Sequence, residues 1–373
     1  MKHSQFFTIL CAVLCPLLLS CGNRQAYISR PNAYAQGFAI EQADDFTKVV
    51  VFNPWHEDAV LQTYYLVRET DADVPSDGVK IKIPVRRMSV TSVTHIGMIA
   101  ELGKLESVCG ACNPEMIYCR EFHERSHAGG ITNLGDAMQV DVERVLLTHP
   151  EAVMVSTFAQ GDASSEQLQR LGMPVIFNNE WTERTPLARA EWLRFTAAFF
   201  DCLPAADSVF AQVEQEYNAL KSLTDNLSEK RKSVMSGNNF RGTWYVPAGN
   251  TYMGVLFRDA GADYFYRADS SYTSIPLGVE EVVRNFADAD VWFGSNARTL
   301  EELAKSDEKH TWFKAYRDGQ VYNFYRRRPF GSDANDFWET GVVHPEMILH
   351  DMISVLYPEL IGDRECYFID RLY

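Results

Sequence analysis

Three consecutive arginines, Arg326, Arg327 and Arg328, stand out in an acidic chain, with Tyr325, Phe330, Phe337 and Trp338 close by. A guanidinium fork pairs with carboxylate, phosphate or catecholate oxygens, and an aromatic face accepts a flat ring, so this grouping suits a large anionic, conjugated ligand. A plainer use is ion pairing with Asp333 or Asp336, since an extended run would turn only Arg326 and Arg328 the same way. A second concentration of reactive side chains comprises Cys109, Cys112, Cys119, His123 and His127. Zinc accepts such donors, but the spacing fits no closed four-ligand site; an oxidised Cys109–Cys112 loop or packing cysteines suit it better. No resident metal and no cofactor is expected. The chain contains no GxSxG, P-loop, HExxH or GxGxxG pattern, so it is not expected to be an enzyme. Among the scattered histidines, His95 is singled out because it opens a predicted helix directly after a predicted strand.

These side chains need elements to hold them. Residues 48–52, 60–67 and 79–83 alternate like strands, with a turn over 71–78, and predict a small β extension. From residue 88 the pattern predicts strand 88–92, helix 95–102, strand 107–109, helix 141–148, strand 152–156, helix 164–171 and strand 174–177. That alternation argues for parallel α/β layering. Helical sequence follows over 186–203 and 205–227, broken at Pro204. At roughly 1.5 Å per residue, the second segment spans about 35 Å, enough for a strut between two lobes or a surface helix of one. Strands near 233–236, 243–246, 264–266, 291–293 and 321–324 then interleave with helices 251–260, 279–286, 300–304 and 345–357.

Ligands favour clefts at domain interfaces and the carboxyl ends of strands. The loops following strands therefore supply the binding candidates: His95, Phe158 and Trp181 in the first half, and Phe240, Arg241, Trp244, Tyr245, Tyr272, Asn296, Arg326, Arg328 and Trp338 in the second.

Two stretches far apart share a design. VDVERVLLTHPEAVMV (140–155) and LGVEEVVRNFADADVW (277–292) each pair an acid-led amphipathic helix with a buried strand, aligning Val142 with Val279 and Glu143 with Glu280. A first-turn glutamate suits the helix dipole wherever it occurs. A matched pair, one per lobe, also suggests docking at two points. Helices 96–103 and 254–261 both end at glycine, the common left-handed stop.

With 373 residues and 46% hydrophobic content, the chain is long enough for two cores. Its net charge of −15 argues against nucleic-acid partners. Residues 1–20 have a basic start and an apolar run too short to span a membrane, the pattern of a secretion signal. Residues 21–46 are expected to form a flexible polar tether.

Leu18-Leu19-Ser20-Cys21 resembles a bacterial lipobox, which implies that the mature chain begins at a lipidated Cys21 and sits on the periplasmic side of the cell envelope, anchored to membrane. The run Val142-Glu143-Arg144-Val145 through His149-Pro150-Glu151-Ala152-Val153 is similar to the "LERI…KPDLV" signature of substrate-binding lipoproteins of ABC importers for iron chelates and cobalamin. The resemblance implies an α/β fold of two Rossmann-like lobes joined by one long rigid helix: 47–184 as the N-terminal lobe with its β extension, 185–229 as the helical segment and 230–373 as the C-terminal lobe. It further implies a monomer that holds a metal chelate (an iron-siderophore or similar iron complex), a corrinoid or haem between its lobes. Glu143 and Glu280 would then meet arginine pockets on an ABC transporter permease dimer. A secreted α/β hydrolase is the rival reading, and it requires a nucleophile–base pair that the sequence does not display.

Overall fold

The computed structural model describes residues 28–159, 161–225, 227, 231–362 and 364–373. The signal segment and Cys21 lie outside the described residues.

Five strands, β1 (Ile28–Arg30), β2 (Phe38–Gln42), β3 (Thr47–Phe52), β4 (Val60–Val67) and β5 (Val79–Lys82), form one sheet in sequence order, with only the β4–β5 pair parallel. Its inner face sends Phe38, Ile40, Val49, Val51, Tyr64 and Leu66 into the core of the following lobe. The Tyr64 hydroxyl donates to Val175 O at 3.0 Å and accepts from Phe177 N–H at 2.9 Å. This phenol is fully enclosed, and burial raises its pKa.

β1 and β2 correct the expectation of a flexible tether over 21–46, because residues 28–46 are folded onto the lobe. Two buried carboxylates explain it. Glu191 accepts the backbone N–H groups of Ala33, Tyr34 and Ala35 at 2.8 Å each, and Glu183 accepts those of Gln36 and Gly37 at 2.9 and 2.8 Å. A polar segment without periodicity is ordered here by charge-assisted hydrogen bonds rather than by its own apolar pattern.

The first lobe holds β6 (Met88–Val90), β7 (Val108–Ala111), β8 (Thr132–Asn133), β9 (Ala152–Val155) and β10 (Val175–Phe177) in a wholly parallel sheet of order β10-β9-β6-β7-β8. Its helices are α1 (Val93–Glu101), α2 (Arg120–His127), α3 (Val142–Leu147) and α4 (Ala163–Arg170). The fully buried strands β6, β7, β9 and β10 fit a sheet covered on both faces, while β8 is an exposed edge. Cys109 and Cys112 are buried free thiols, so no oxidised loop joins them. Burial pushes the Cys112 thiol up to about 12, with Asp136 adding to the shift.

Next come α5 (Pro186–Phe199) and α6 (Leu203–Asp225). Pro204 does not break a helix; it lies in the first turn of α6, where its missing N–H costs nothing. Every residue of α5 is buried. Its Leu187 and Ala190 belong to the second core while Trp192, Leu193, Phe195, Ala197, Ala198 and Phe199 belong to the first. α6 runs the other way, with Leu203 and Ala206 in the first core and Phe210, Val213 and Tyr217 in the second.

The second lobe contains β11 (Ser233–Ser236), β12 (Asn239–Phe240), β13 (Thr243–Pro247), β14 (Asp263–Tyr264), β15 (Ser274–Leu277), β16 (Val291–Phe293), β17 (Val321–Asn323) and β18 (Asp370–Arg371). Its helices are α7 (Tyr252–Asp259), α8 (Val279–Phe286), α9 (Leu300–Ser306), α10 (Lys314–Arg317), α11 (Thr340–Val343), α12 (Pro345–Leu356) and α13 (Pro358–Ile361). The main sheet has the order β14-β11-β16-β17-β18, and β12, β13 and β15 form a small antiparallel sheet beside it. The run β7-β6-β9-β10 of the first lobe has the same connectivity as β14-β11-β16-β17 of the second. In that correspondence α3 leads into β9 as α8 leads into β16, so the matched acid-led segments occupy equivalent places. Gly103 and Gly261 end the equivalent helices α1 and α7 at φ +64° and +74°, a conformation open to glycine. α11 departs from the scheme, because Val342 and Val343 pack into the first lobe's core.

Candidate functional site

At the carboxyl ends of β9 and β10, the loops carry Phe158 and Trp181 into solvent as a stacked pair, with ring centroids 5.4 Å apart and planes 30° from parallel. They remain 54% and 38% exposed, an unusual position for two large aromatics in contact. Beside them a pocket of about 140 Å3 is lined by Thr91, Met138, Val155, Thr157, Phe158 and Asp162. Its floor is held by Asn179, whose Oδ1 accepts the Thr157 backbone N–H at 2.8 Å. Loops after parallel strands can present such groups because the sheet fixes their starting points.

Two guanidinium–aromatic contacts join the halves of the chain. Arg184 sits over the Tyr272 ring at 4.3 Å, and Arg327 over Tyr118 at 5.4 Å. Tyr325 has Arg298 and Arg328 over its ring at 5.5 and 4.5 Å. Sequence reasoning missed Tyr118, Arg184, Arg298 and the role of Arg327. A cation and an aromatic ring distant in sequence carry no spacing signal.

The arginine triplet is not an extended run but a pair of turns, and each member is ion-paired. Arg326 reaches Glu365 at 2.8 Å and Asp370 at 3.2 Å, Arg327 pairs with Asp336, and Arg328 pairs with Asp333 at 2.7 Å. Pairing with Asp336 and Asp333 therefore describes Arg327 and Arg328, while Arg326 takes Glu365 and Asp370 instead, so neither Arg326 nor Arg328 holds its guanidinium fork unpaired toward a ligand. Two further candidates are enclosed. Trp244 is 1% exposed, packed on Trp292, His310 and Phe313, with its indole N–H donating to Ser236 O at 2.9 Å. His95 is wholly buried, with Nε2 3.2 Å from Asn178 O, and burial pulls its pKa down to about 4. Neither side chain meets solvent. Phe240, Tyr245, Tyr272, Asn296 and Trp338 are exposed. Arg241 lies over the Phe240 ring at 5.1 Å in the β12–β13 turn. Of the predicted ligand contacts, Phe158 and Trp181 are brought together from two different loops, whereas Phe240 and Arg241 touch as chain neighbours.

Beneath these loops, charged groups tie the two halves together. Glu180 and Arg189 form a buried pair at 3.2 Å, and the Arg189 guanidinium lies 4.9 Å from the Tyr252 ring centroid. The Glu339 carboxylate accepts the backbone N–H of Tyr118, and that of Cys119 at 3.0 Å. Burial, with the charge of Asp336, pushes Glu339 up to about 8 against those two hydrogen bonds. His344 bridges Glu101 at 3.1 Å and Glu346 at 2.8 Å. Burial alone would depress this imidazole, but the two carboxylates outweigh it and hold the pKa at about 10.

Glu143 and Glu280 are both exposed and lie in the first turns of α3 and α8. The helix starts differ, since Asp141 caps α3 by accepting the Arg144 N–H at 3.1 Å whereas α8 begins at Gly278 with no side-chain cap.

Two α/β lobes of matching topology, with exposed aromatic groups on loops that follow their strands, have the architecture of a bilobal solute-binding protein. The chain belongs to the periplasmic binding protein family, whose sequence profile matches residues 111–325. The family consists of substrate-binding proteins of transport systems, not enzymes. An uncharacterized lipoprotein of Methanocaldococcus jannaschii is 25% identical over 321 residues, covering 82% of this chain and 75% of the relative. Among solved structures, a periplasmic heme-binding protein from Pseudomonas aeruginosa matches with a TM-score of 0.59 and 15% identity, covering 78% of this chain and 98% of that one. A possible iron-binding periplasmic protein from Staphylococcus epidermidis matches with a TM-score of 0.57 and 12% identity, covering 74% and 99%. Among the described residues no helix is long and apolar enough to cross a membrane.

Proposed function

We propose that the protein is a lipid-anchored solute-binding component that captures a metal chelate between its lobes and delivers it to the permease dimer of an ABC importer. The stacked, solvent-facing Phe158–Trp181 pair carries this reading. Two large aromatic faces held open to solvent beside a small pocket suit the flat, conjugated rim of a catecholate-type iron complex, and Arg184, close after Trp181 in the chain, brings positive charge to the same segment. α6, which enters both cores, serves as the rigid connector, and the lobes are taken to divide near the boundaries read from the sequence. Haem or a corrinoid is the alternative cargo. Haem needs an axial donor, and enclosure of His95 weighs against that residue in the role. Membrane attachment through Cys21 is supported by the lipobox pattern and by the lipoprotein name of the archaeal relative. Titrating the full-length protein in detergent with a ferric catecholate, haem and cobalamin, followed by tryptophan quenching, tests the assignment. Saturable quenching by the ferric complex that is lost in Trp181→Ala supports it; no quenching by any of the three overturns it.

A further inference from the structure

Away from the interlobe loops, the seam between α6 and α12 opens into a groove of about 480 Å3. α6 contributes Glu216, Leu220 and Leu223 to its walls, and α12 contributes Glu346, Met347 and His350. The four- and three-residue steps place each set on one helical face. The groove combines an apolar floor with acceptors that lack donors. Glu346 Oε1 is engaged by His344 Nδ1 at 2.8 Å, while Oε2 has no partner. His350 Nδ1 is 3.3 Å from Asp351 Oδ1, and Asp351 already accepts the backbone N–H groups of Tyr367, Phe368 and Ile369. An acceptor in that position puts a proton on Nδ1, and in the neutral imidazole Nε2 is then a second acceptor without a partner. Glu216, on the facing helix, lies close enough to repel charge on Glu346. Arg364, the one cation among the described residues of the lining, is engaged by Tyr367: its guanidinium lies 5.0 Å from that ring and bonds the hydroxyl.

We propose that this groove binds a small aliphatic primary ammonium ion, with its alkyl body along Leu220, Leu223 and Met347 and its charge toward Glu216, Glu346 and His350. An ammonium brings three donors to a wall whose unpartnered atoms are all acceptors, and its charge relieves the repulsion between the two carboxylates. A neutral apolar occupant would leave the enclosed Glu346 oxygen and His350 nitrogen unsatisfied, and an anion would add repulsion. Met347, unbranched and adaptable, lets the wall close around the chain. The site is separate from the interlobe loops and does not depend on which cargo they hold.

Calorimetry of the full-length protein in detergent, with n-hexylamine as probe, n-hexanol as uncharged control and a detergent-only blank, tests this. The amine is expected to bind at one site at least about tenfold more tightly than the alcohol. Leu223→Trp, a change at an exposed position that fills the groove, should abolish amine binding, and Glu216→Gln should weaken it about fivefold. Both variants should keep the quenching response of the interlobe site. Equal binding of amine and alcohol, amine binding that survives Leu223→Trp, or no binding at all would overturn the proposal.

Discussion

Phe158 and Trp181 make the same kind of contact with each other that they would make with a flat ligand. Removing either ring should weaken ferric catecholate binding by about fivefold, matching roughly 1 kcal/mol for one aromatic contact, and fluorescence titration of Phe158→Ala measures it. Unchanged affinity would remove the pair from the site. His344 carries a pH signature. Its folded pKa of about 10 lies above the ordinary 6.5, so its contribution to stability is complete below pH 6.5 and is lost as pH rises toward 10. Melting curves across that range should show His344→Gln losing less stability with rising pH than the parent, and parallel curves would refute the charge bridge. At this scale the sequence was only partly legible. Trp244 is enclosed and Tyr245 exposed because β13 alternates, and that period was visible in the string Trp244-Tyr245-Val246. The pairing of Arg326 with Glu365 and Asp370 was not visible, since nothing local marks a partner some forty residues away.

Among the elements, the parallel strands were the most legible part. Met88–Val90, Ala152–Val155 and Val291–Phe293 are short apolar runs between amphipathic helices, a pattern that strands buried on both faces produce. The segment 33–37 leading into β2 was illegible because its ordering comes from Glu183 and Glu191, carboxylates on a different part of the chain. Glu191→Ala removes the acceptor of three backbone N–H groups and one partner of Arg194, and the loss expected for a broken buried pair is roughly 3–5 kcal/mol. Hydrogen exchange should then reveal rapid opening of the amides of residues 33–42; continued protection would show that strand pairing alone holds the segment. α1 and α11 approach so closely that a Cβ on Gly97 would lie 2.6 Å from the Glu339 carbonyl oxygen. Gly97→Ala should therefore lower stability by about 1–3 kcal/mol through displacement of the α11 backbone, read as a reduced melting temperature.

For the molecule as a whole, the matched order of the two main sheets gives the acid-led repeat its meaning, since α3 and α8 lead into equivalent strands and present Glu143 and Glu280 on separate lobes. If both acids serve a permease, Glu143→Ala combined with Glu280→Ala should abolish ligand-driven ATP hydrolysis in reconstituted vesicles and leave chelate affinity unchanged. Full stimulation by the double variant would sink the docking role. The two-lobe plan was legible because duplication repeats a pattern, whereas the passage of α11 into the opposite core was not, because Val342 and Val343 look like any apolar pair. That passage also bears on folding. A chain synthesised from its N-terminus has nearly all of its first lobe available long before residues 342 and 343 emerge, yet that lobe keeps an open wall until they arrive. Its completion is thus a late event, and a chain stalled or shortened before residue 342 should remain protease-sensitive in both lobes at once.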